Sequence, residues 1–225
     1  MAITTDNNNA LLRLLQLSSA TLPVGAFAFS QGLEAAVELG WIKDKSDTYE
    51  WLAQQLRYAL VSVDLPVLRL AMSAAADMNI SDWNRANEWL LASRETAELR
   101  LTDMATGEAL LKLLRQLQLP LPQLHTTATF IAVYGWAAVY WQIDWSAAAL
   151  GLLWSWLENQ VVAATKLVPL GQTQAQQLLG ELQPLLVQAM HLSESVAIDD
   201  IGSSLPAMAI ASARHESQYT RLFRS

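Results

Sequence analysis

The contact chemistry of this chain is concentrated at its C-terminus, in the run Arg214-His215-Glu216-Ser217-Gln218-Tyr219-Thr220-Arg221-Leu222-Phe223-Arg224-Ser225. His215 beside Glu216 suggests a general base with an acid. Neighbouring residues on a helix point in different directions, however, so these two do not act as a pair. If the last helix continues through the tail, His215, Tyr219, Leu222 and Phe223 fall at i, i+4, i+7 and i+8 and form one stripe. Arg214, Arg221 and Arg224 then lie outside the stripe, suited to carboxylates or exposed carbonyls. Periodicity alone leaves open whether this stripe docks on the chain's own core or on another protein.

Elsewhere the signals for chemistry are sparse. The chain has 3 histidines and no cysteine, which excludes disulfides and thiolate metal sites. His191 and Glu194 have the i, i+3 spacing that puts two ligands on one helical face, but one pair does not make a metal site. His125 follows two prolines with no ligand partner nearby and reads as a cap or surface residue. There is no G-x-S-x-G elbow, no phosphate-binding G-x-x-x-x-G-K-[ST] loop and no H-E-x-x-H. No catalytic residue and no resident metal are expected. Arg94, Glu95, Glu98 and Arg100 read as solvated helical pairs such as Arg94–Glu98. Lys166 sits at a helix end, where a cation is favourable. Gly107 inside a helix costs about 1 kcal/mol relative to Ala, and implies close helix approach or a kink.

The composition suits a large core. Of 225 residues, 52% are hydrophobic and 16% charged, with nine tryptophans; an ordinary globular chain is about 25% charged. Apolar surface left over for partners is therefore expected. The formal charge of -7 with only 14 Lys and Arg speaks against nucleic acid. The N-terminal Met1-Ala-Ile-Thr-Thr-Asp-Asn-Asn-Asn lacks the basic region of a signal peptide, so the cytoplasm is the expected compartment. Uncharged runs over Thr126–Ile143 and Trp145–Leu157 read as central helices of an all-α core rather than membrane spans.

The elements that position these residues all carry a helical period. Asn7 to Asn9 offer a cap for a helix with Leu11, Leu14 and Leu15 on one face. Pro23 and Gly25 shape a loop, after which Ser30 caps a helix to Leu39 with Glu34 in its first turns, stopped by Gly40. Asp47 with Glu50 resembles a capping box for a helix to Val63, with Leu52, Leu56, Leu60 and Val63 inward and a break at Asp64-Leu65-Pro66. Ser81 and Ser93 read as the next caps, the second opening a helix from Arg94 to about Gln118. Two central helices near Thr126–Gln142 and Trp145–Thr165 follow. After these come a Gln-rich helix from Thr173 to about Met190 with Pro184 as its expected kink point, an acidic loop to Ser203, and a last helix capped by Ser204 with Pro206 in its first turn. No strand period competes. The expectation is one all-α domain of about ten helices spanning 1–225.

Four segments together resemble one family, the urease accessory protein UreF. They are Leu14-Leu15-Gln16-Leu17-Ser18-Ser19-Ala20-Thr21-Leu22-Pro23-Val24-Gly25-Ala26-Phe27-Ala28-Phe29-Ser30-Gln31-Gly32-Leu33-Glu34; Arg94-Glu95-Thr96-Ala97-Glu98-Leu99-Arg100 with Gly107; Lys166-Leu167-Val168-Pro169-Leu170-Gly171-Gln172; and the segment from Ala211 to Ser225. They lie in the family's order across nearly the whole chain. The first and last are the specific ones. The main departure is Ala28, where a polar residue is common in the motif.

The resemblance implies a non-catalytic, dimeric, helical scaffold. It implies partnership with UreD (also called UreH), with the GTPase UreG and with apo-urease, in an assembly that inserts nickel. Nickel would transit the complex, and GTP would be bound by UreG rather than by this chain. By position, the resemblance assigns Arg214, His215, Glu216, Gln218, Tyr219, Arg221, Leu222, Phe223 and Arg224 to a tail facing UreD, with a second partner-binding segment over about 1–30. It places Ser30, Gln31 and Glu34 near the nickel passage or the UreG-facing surface. Lys166, Pro169, Gly171 and Gln172 are assigned to contact with the GTPase, and these two groups are interchangeable. The rival readings are a direct GTPase-activating protein using Arg94, Arg100 or Lys166, and a helical enzyme using His215 and Glu216.

Overall fold

The structure is a computed structural model, which describes residues 5–123 and 127–224. His125 and the start of the expected helix at Thr126 lie outside the described residues. The described chain is an all-α bundle, with helices α1 (Thr5–Leu17), α2 (Leu33–Glu38), α3 (Lys45–Gln54), α4 (Leu65–Ala76), α5 (Ile80–Ala92), α6 (Ala97–Gln116), α7 (Phe130–Tyr140), α8 (Trp145–Leu167), α9 (Gln172–Glu194) and α10 (Pro206–His215). No strand occurs among the described residues.

The centre is built from α4 and α7. Helix α7 is apolar on every side, with Ile131 to Ala138 buried throughout, so it has no solvent face to present. It packs between α4 and α6; α5 covers α4, α8 lies along α9, and α10 sits on α2. Trp83 is fully buried at this centre, where its Nε1–H donates to the Ala132 carbonyl at 3.1 Å and its ring meets Trp136 edge-on. Such a pairing satisfies the one polar atom of a large buried ring.

Gly107 shows why α6 and α7 can lie so close. A Cβ on Gly107 would sit 2.4 Å from the Ala128 carbonyl oxygen and 2.5 Å from the Thr129 carbonyl carbon. Of the two outcomes expected for this glycine, close approach is the one found. Asn87 and Glu108 hold the approaching strand of backbone, accepting from the Thr129 and Ala128 amides at 2.8 and 3.2 Å. The blocking atoms are main chain and cannot rotate away. Gly107→Ala is therefore expected to destabilise the fold by about 1–3 kcal/mol or more, read as a lowered urea midpoint with unchanged slope.

Helix boundaries differ from the sequence reading in several places. Asp44, not Asp47, caps α3, accepting from the Asp47 amide. Asn79, not Ser81, caps α5 by accepting from Asp82, and Thr96, not Ser93, caps α6 by accepting from Leu99. Each segment offers more than one capping side chain, and tertiary packing selects among them. Ser204 is not a cap either: Leu205 precedes α10, which begins directly on Pro206. Helix α9 runs on to Glu194, past the expected end at Met190 and through Pro184.

The break expected at Asp64-Leu65-Pro66 is absent. A π-helical segment over Gln55–Asp64 joins α3 directly to α4. Pro66 cannot donate to the carbonyl four residues back, that of Ser62; the Gly202 amide donates to it instead, at 3.1 Å. The resulting continuous helix, Lys45–Ala76, is long and apolar enough to cross a membrane, but 61% of its apolar window is buried inside the bundle.

Helix α1 also departs from expectation. Its inner edge is Leu14 and Leu17, while Leu11, Leu12 and Leu15 are more than half exposed. The helix touches the body along one narrow edge against α8, so adjacent leucines cannot all reach the core.

Candidate functional site

The tail does not continue as a helix. Helix α10 ends at His215, and residues 216–224 turn back over the body. The expected single stripe is therefore corrected. His215 and Phe223 are buried, whereas Tyr219 is fully exposed and Leu222 is 62% exposed. What redirects the chain is a pair of carboxylates distant in sequence.

Ser30 is fully buried, and its Oγ accepts from the Glu34 amide at 3.3 Å, but the cap of α2 is Gly32 rather than the expected Ser30. Gly32 follows with φ of +84°; its missing side chain lets the α10 backbone approach, since a Cβ would lie 3.3 Å from both the Met208 oxygen and the Ser212 nitrogen. Glu34 is thereby buried under α10. Its carboxylate accepts from the Leu222 amide at 2.6 Å, the Phe223 amide at 2.9 Å and His215 Nε2 at 2.9 Å.

Glu98, in the first turn of α6, holds the other side of the imidazole. Its Oε2 lies 2.8 Å from His215 Nδ1 and its Oε1 accepts from Arg221 Nη1 at 3.0 Å. Both ring nitrogens of His215 thus face carboxylates. The Thr96 and Ser212 hydroxyls, 2.7 Å apart, join α6 to α10 beside this row.

The end of the tail is tied down twice more. The Arg224 amide donates to the Ala28 carbonyl at 2.8 Å, and its guanidinium lies over the Phe29 ring. Ala28, the position that departs from the family pattern, thus takes part through its backbone. Phe223 is buried with the Lys166 ammonium 5.4 Å from its ring centroid. Arg214, Glu216, Tyr219 and Leu222 face solvent, and Gln218 bonds locally to the Thr220 carbonyl.

The structure brings Ser30, Glu34, His215, Arg221, Leu222, Phe223, Arg224 and Lys166 into one region. Pro169 and Gly171 occupy the exposed turn between α8 and α9, and exposed Gln172 opens α9. Gln31 belongs to a neighbouring cavity, where its Oε1 accepts from Trp156 Nε1 at 2.9 Å and Gln160 Nε2 at 3.3 Å. His191 and Glu194 are exposed at the end of α9. Among the described residues, no group of three or more His, Cys, Asp or Glu side chains is placed to hold a metal ion. The Glu34–His215–Glu98 row runs through the imidazole rather than converging on a point.

Sequence reasoning misplaced two residues. Glu98 was expected in a solvated pair with Arg94 and instead anchors the tail. Arg94 precedes α6 and forks onto Asp64 with Nη2–Oδ1 at 2.7 Å and Nη1–Oδ2 at 3.1 Å, while its Nε donates to Asp103. Burial opposes the Arg94 charge, but Asp103 and Asp64 outweigh it and hold the pKa above the ordinary arginine value. The local signal for both was the density of charge around the Thr96 cap.

The UreF family profile matches residues 42–183. The urease accessory protein UreF of Marinomonas sp. (strain MWYL1) is 53% identical over 224 residues, covering 99% of this chain and 96% of the relative. That of Hahella chejuensis is 45% identical over 218 residues, covering 96% and 98%. That of Pseudomonas putida (strain W619) is 46% identical over 224 residues, covering 98% and 100%. With a matching profile over more than half its length and relatives of this identity from end to end, the chain belongs to the UreF family of urease accessory proteins.

Proposed function

We propose that this urease maturation factor acts as a non-catalytic cytoplasmic scaffold. In this reading it dimerises, joins UreD through its C-terminal tail, and holds UreG near the turn of Lys166, Pro169, Gly171 and Gln172. The assembly couples GTP hydrolysis on UreG to nickel insertion into apo-urease, with nickel as cargo. The observation that carries the reading is the clamped tail. Glu34 and Glu98 fix residues 221–223 while Tyr219 and Leu222 remain exposed. A fixed backbone presenting an aromatic and a leucine lowers the ordering cost of docking. The exposed Leu11, Leu12 and Leu15 on α1 offer apolar surface at the N-terminal segment.

Two rivals lose support. Arg94, one of the three residues named for a direct GTPase activator, is engaged with Asp64 and Asp103. His215, needed by a helical enzyme, is fully buried between carboxylates. The test is capture of UreD and UreG by the full chain carrying Tyr219→Ala and Leu222→Asp. Neither side chain supports the fold, so helicity and unfolding midpoint should be unchanged. Loss of an anchoring aromatic costs about 2 kcal/mol or more, so UreD capture should weaken on the order of thirtyfold and urease activation should fall with it. Undiminished capture and activation would overturn the assignment of the tail.

A further inference from the structure

Beside the tail site lies a cavity of about 110 Å³ beneath the 26–31 segment, bounded by α6, α8 and the π-helical segment. Its walls are largely apolar, with Phe27, Phe29 and Phe130 among them, and its charged lining residues among the described residues are Asp64, Arg94 and Asp103. Two carboxylates against one guanidinium leave a formal surplus of one negative charge. Gln160, only 2% exposed, lines the same cavity, and its Oε1 has no hydrogen-bond partner. The neighbouring acceptor, Gln31 Oε1, is already occupied by Trp156 and Gln160. An unpartnered buried carbonyl needs a donor.

We propose that this cavity receives an alkylammonium group, its short stem against the apolar walls and an N–H donor on the open Gln160 Oε1. The surplus charge disfavours an anion, and an alcohol would leave that charge uncompensated. A guanidinium needs a carboxylate fork, and Arg94 already holds that of Asp64. An ammonium is a compact charge with three donors, and aromatic walls attract it. Burial pushes the Asp103 carboxyl above the usual aspartate range; Arg94 opposes this and Asp64 adds to it. A bound cation removes that penalty, so binding strengthens as pH rises through the raised Asp103 range. The same chemistry is carried by a free amine and by a lysine side chain of a partner protein.

The experiment titrates the full-length chain with n-butylammonium, n-butanol and Nα-acetyl-lysine methylamide, read by calorimetry and by chemical shifts of the Gln160 amide. Saturable binding of n-butylammonium without matching binding of n-butanol is expected. Asp103→Asn and Gln160→Leu should each weaken it roughly tenfold or more. Binding of the lysine derivative as well identifies a partner's lysine as the source, and its exclusion identifies a free amine. Equal binding of alcohol and ammonium, or saturation by neither ammonium probe, overturns the proposal, and this comparison needs no variant to fold.

Discussion

Glu34→Ala is expected to release the C-terminal tail while leaving the helical bundle assembled. The Glu34 carboxylate accepts three bonds, from consecutive amides of Leu222 and Phe223 and from His215. Charge-assisted bonds of this kind are roughly twice as strong as neutral ones. Alanine leaves the two amides without an acceptor and the fully buried imidazole with Glu98 alone. The amides can return to water only if the tail lifts, and lifting it exposes Phe223, whose burial is worth about 1.5–3 kcal/mol. Each hydrogen bond lost to a charged group costs about 1.5–3 kcal/mol. Hydrogen-exchange protection at Leu222 and Phe223 should fall by about a hundredfold or more, and trypsin should cut after Arg221. Glu216→Ala, at an exposed position one residue from His215, should change neither readout. A tail that stays protected in Glu34→Ala would show that Arg221, Phe223 and Arg224 suffice to hold it.

This clamp explains which parts of the site were legible in the sequence. Glu34 and Gly107 were readable because their roles are local or steric: a carboxylate at the positive end of a dipole, a glycine where only hydrogen fits. The course of the tail was not, because a 3.6-residue period describes a helix only where the backbone amides have nothing better to bond. Here two of them meet a carboxylate 188 and 189 residues away in sequence. Glu98 was hidden for the same reason. An i, i+4 partner in Arg94 looked sufficient until helix α6 proved to start at Ala97, which takes Arg94 off the helix altogether. The capping residues shifted by two or three positions because Asp44, Asn79 and Thr96 compete with equally suitable neighbours. Which of them wins is decided by packing that no short window contains. The missing break at Pro66 has a similar cause: the Gly202 amide, far along the chain, takes over the carbonyl that proline leaves vacant.

Arg94→Ala is expected to be the most destabilising exchange in the second charged group. Arg94, Asp64 and Asp103 have side chains only 12%, 14% and 12% exposed, so no partner can be replaced by bulk water. Alanine would leave the carboxylates of Asp64 and Asp103 buried against each other without a cation. The expected cost is about 3–5 kcal/mol at neutral pH, most of it the penalty of uncompensated buried charge. Arg94→Lys should recover only part of this, since an ammonium cannot engage the two oxygens of Asp64 and also reach Asp103 as the guanidinium does. The sign of the pH dependence follows from Asp103, whose carboxyl burial already holds above its unfolded value. Such a group binds more protons folded than unfolded, so its stability contribution falls as pH rises through the folded value and recovers as pH is lowered. Removing Arg94 removes the main opposing influence and widens that window upward. Urea unfolding of Arg94→Ala should therefore show a smaller deficit at mildly acidic pH than at neutral pH, and Asp103→Asn in the same chain should restore part of the neutral-pH loss. A deficit that is independent of pH, and that Asp103→Asn does not reduce, would mean that Arg94 contributes through the packing of its stem rather than through its charge.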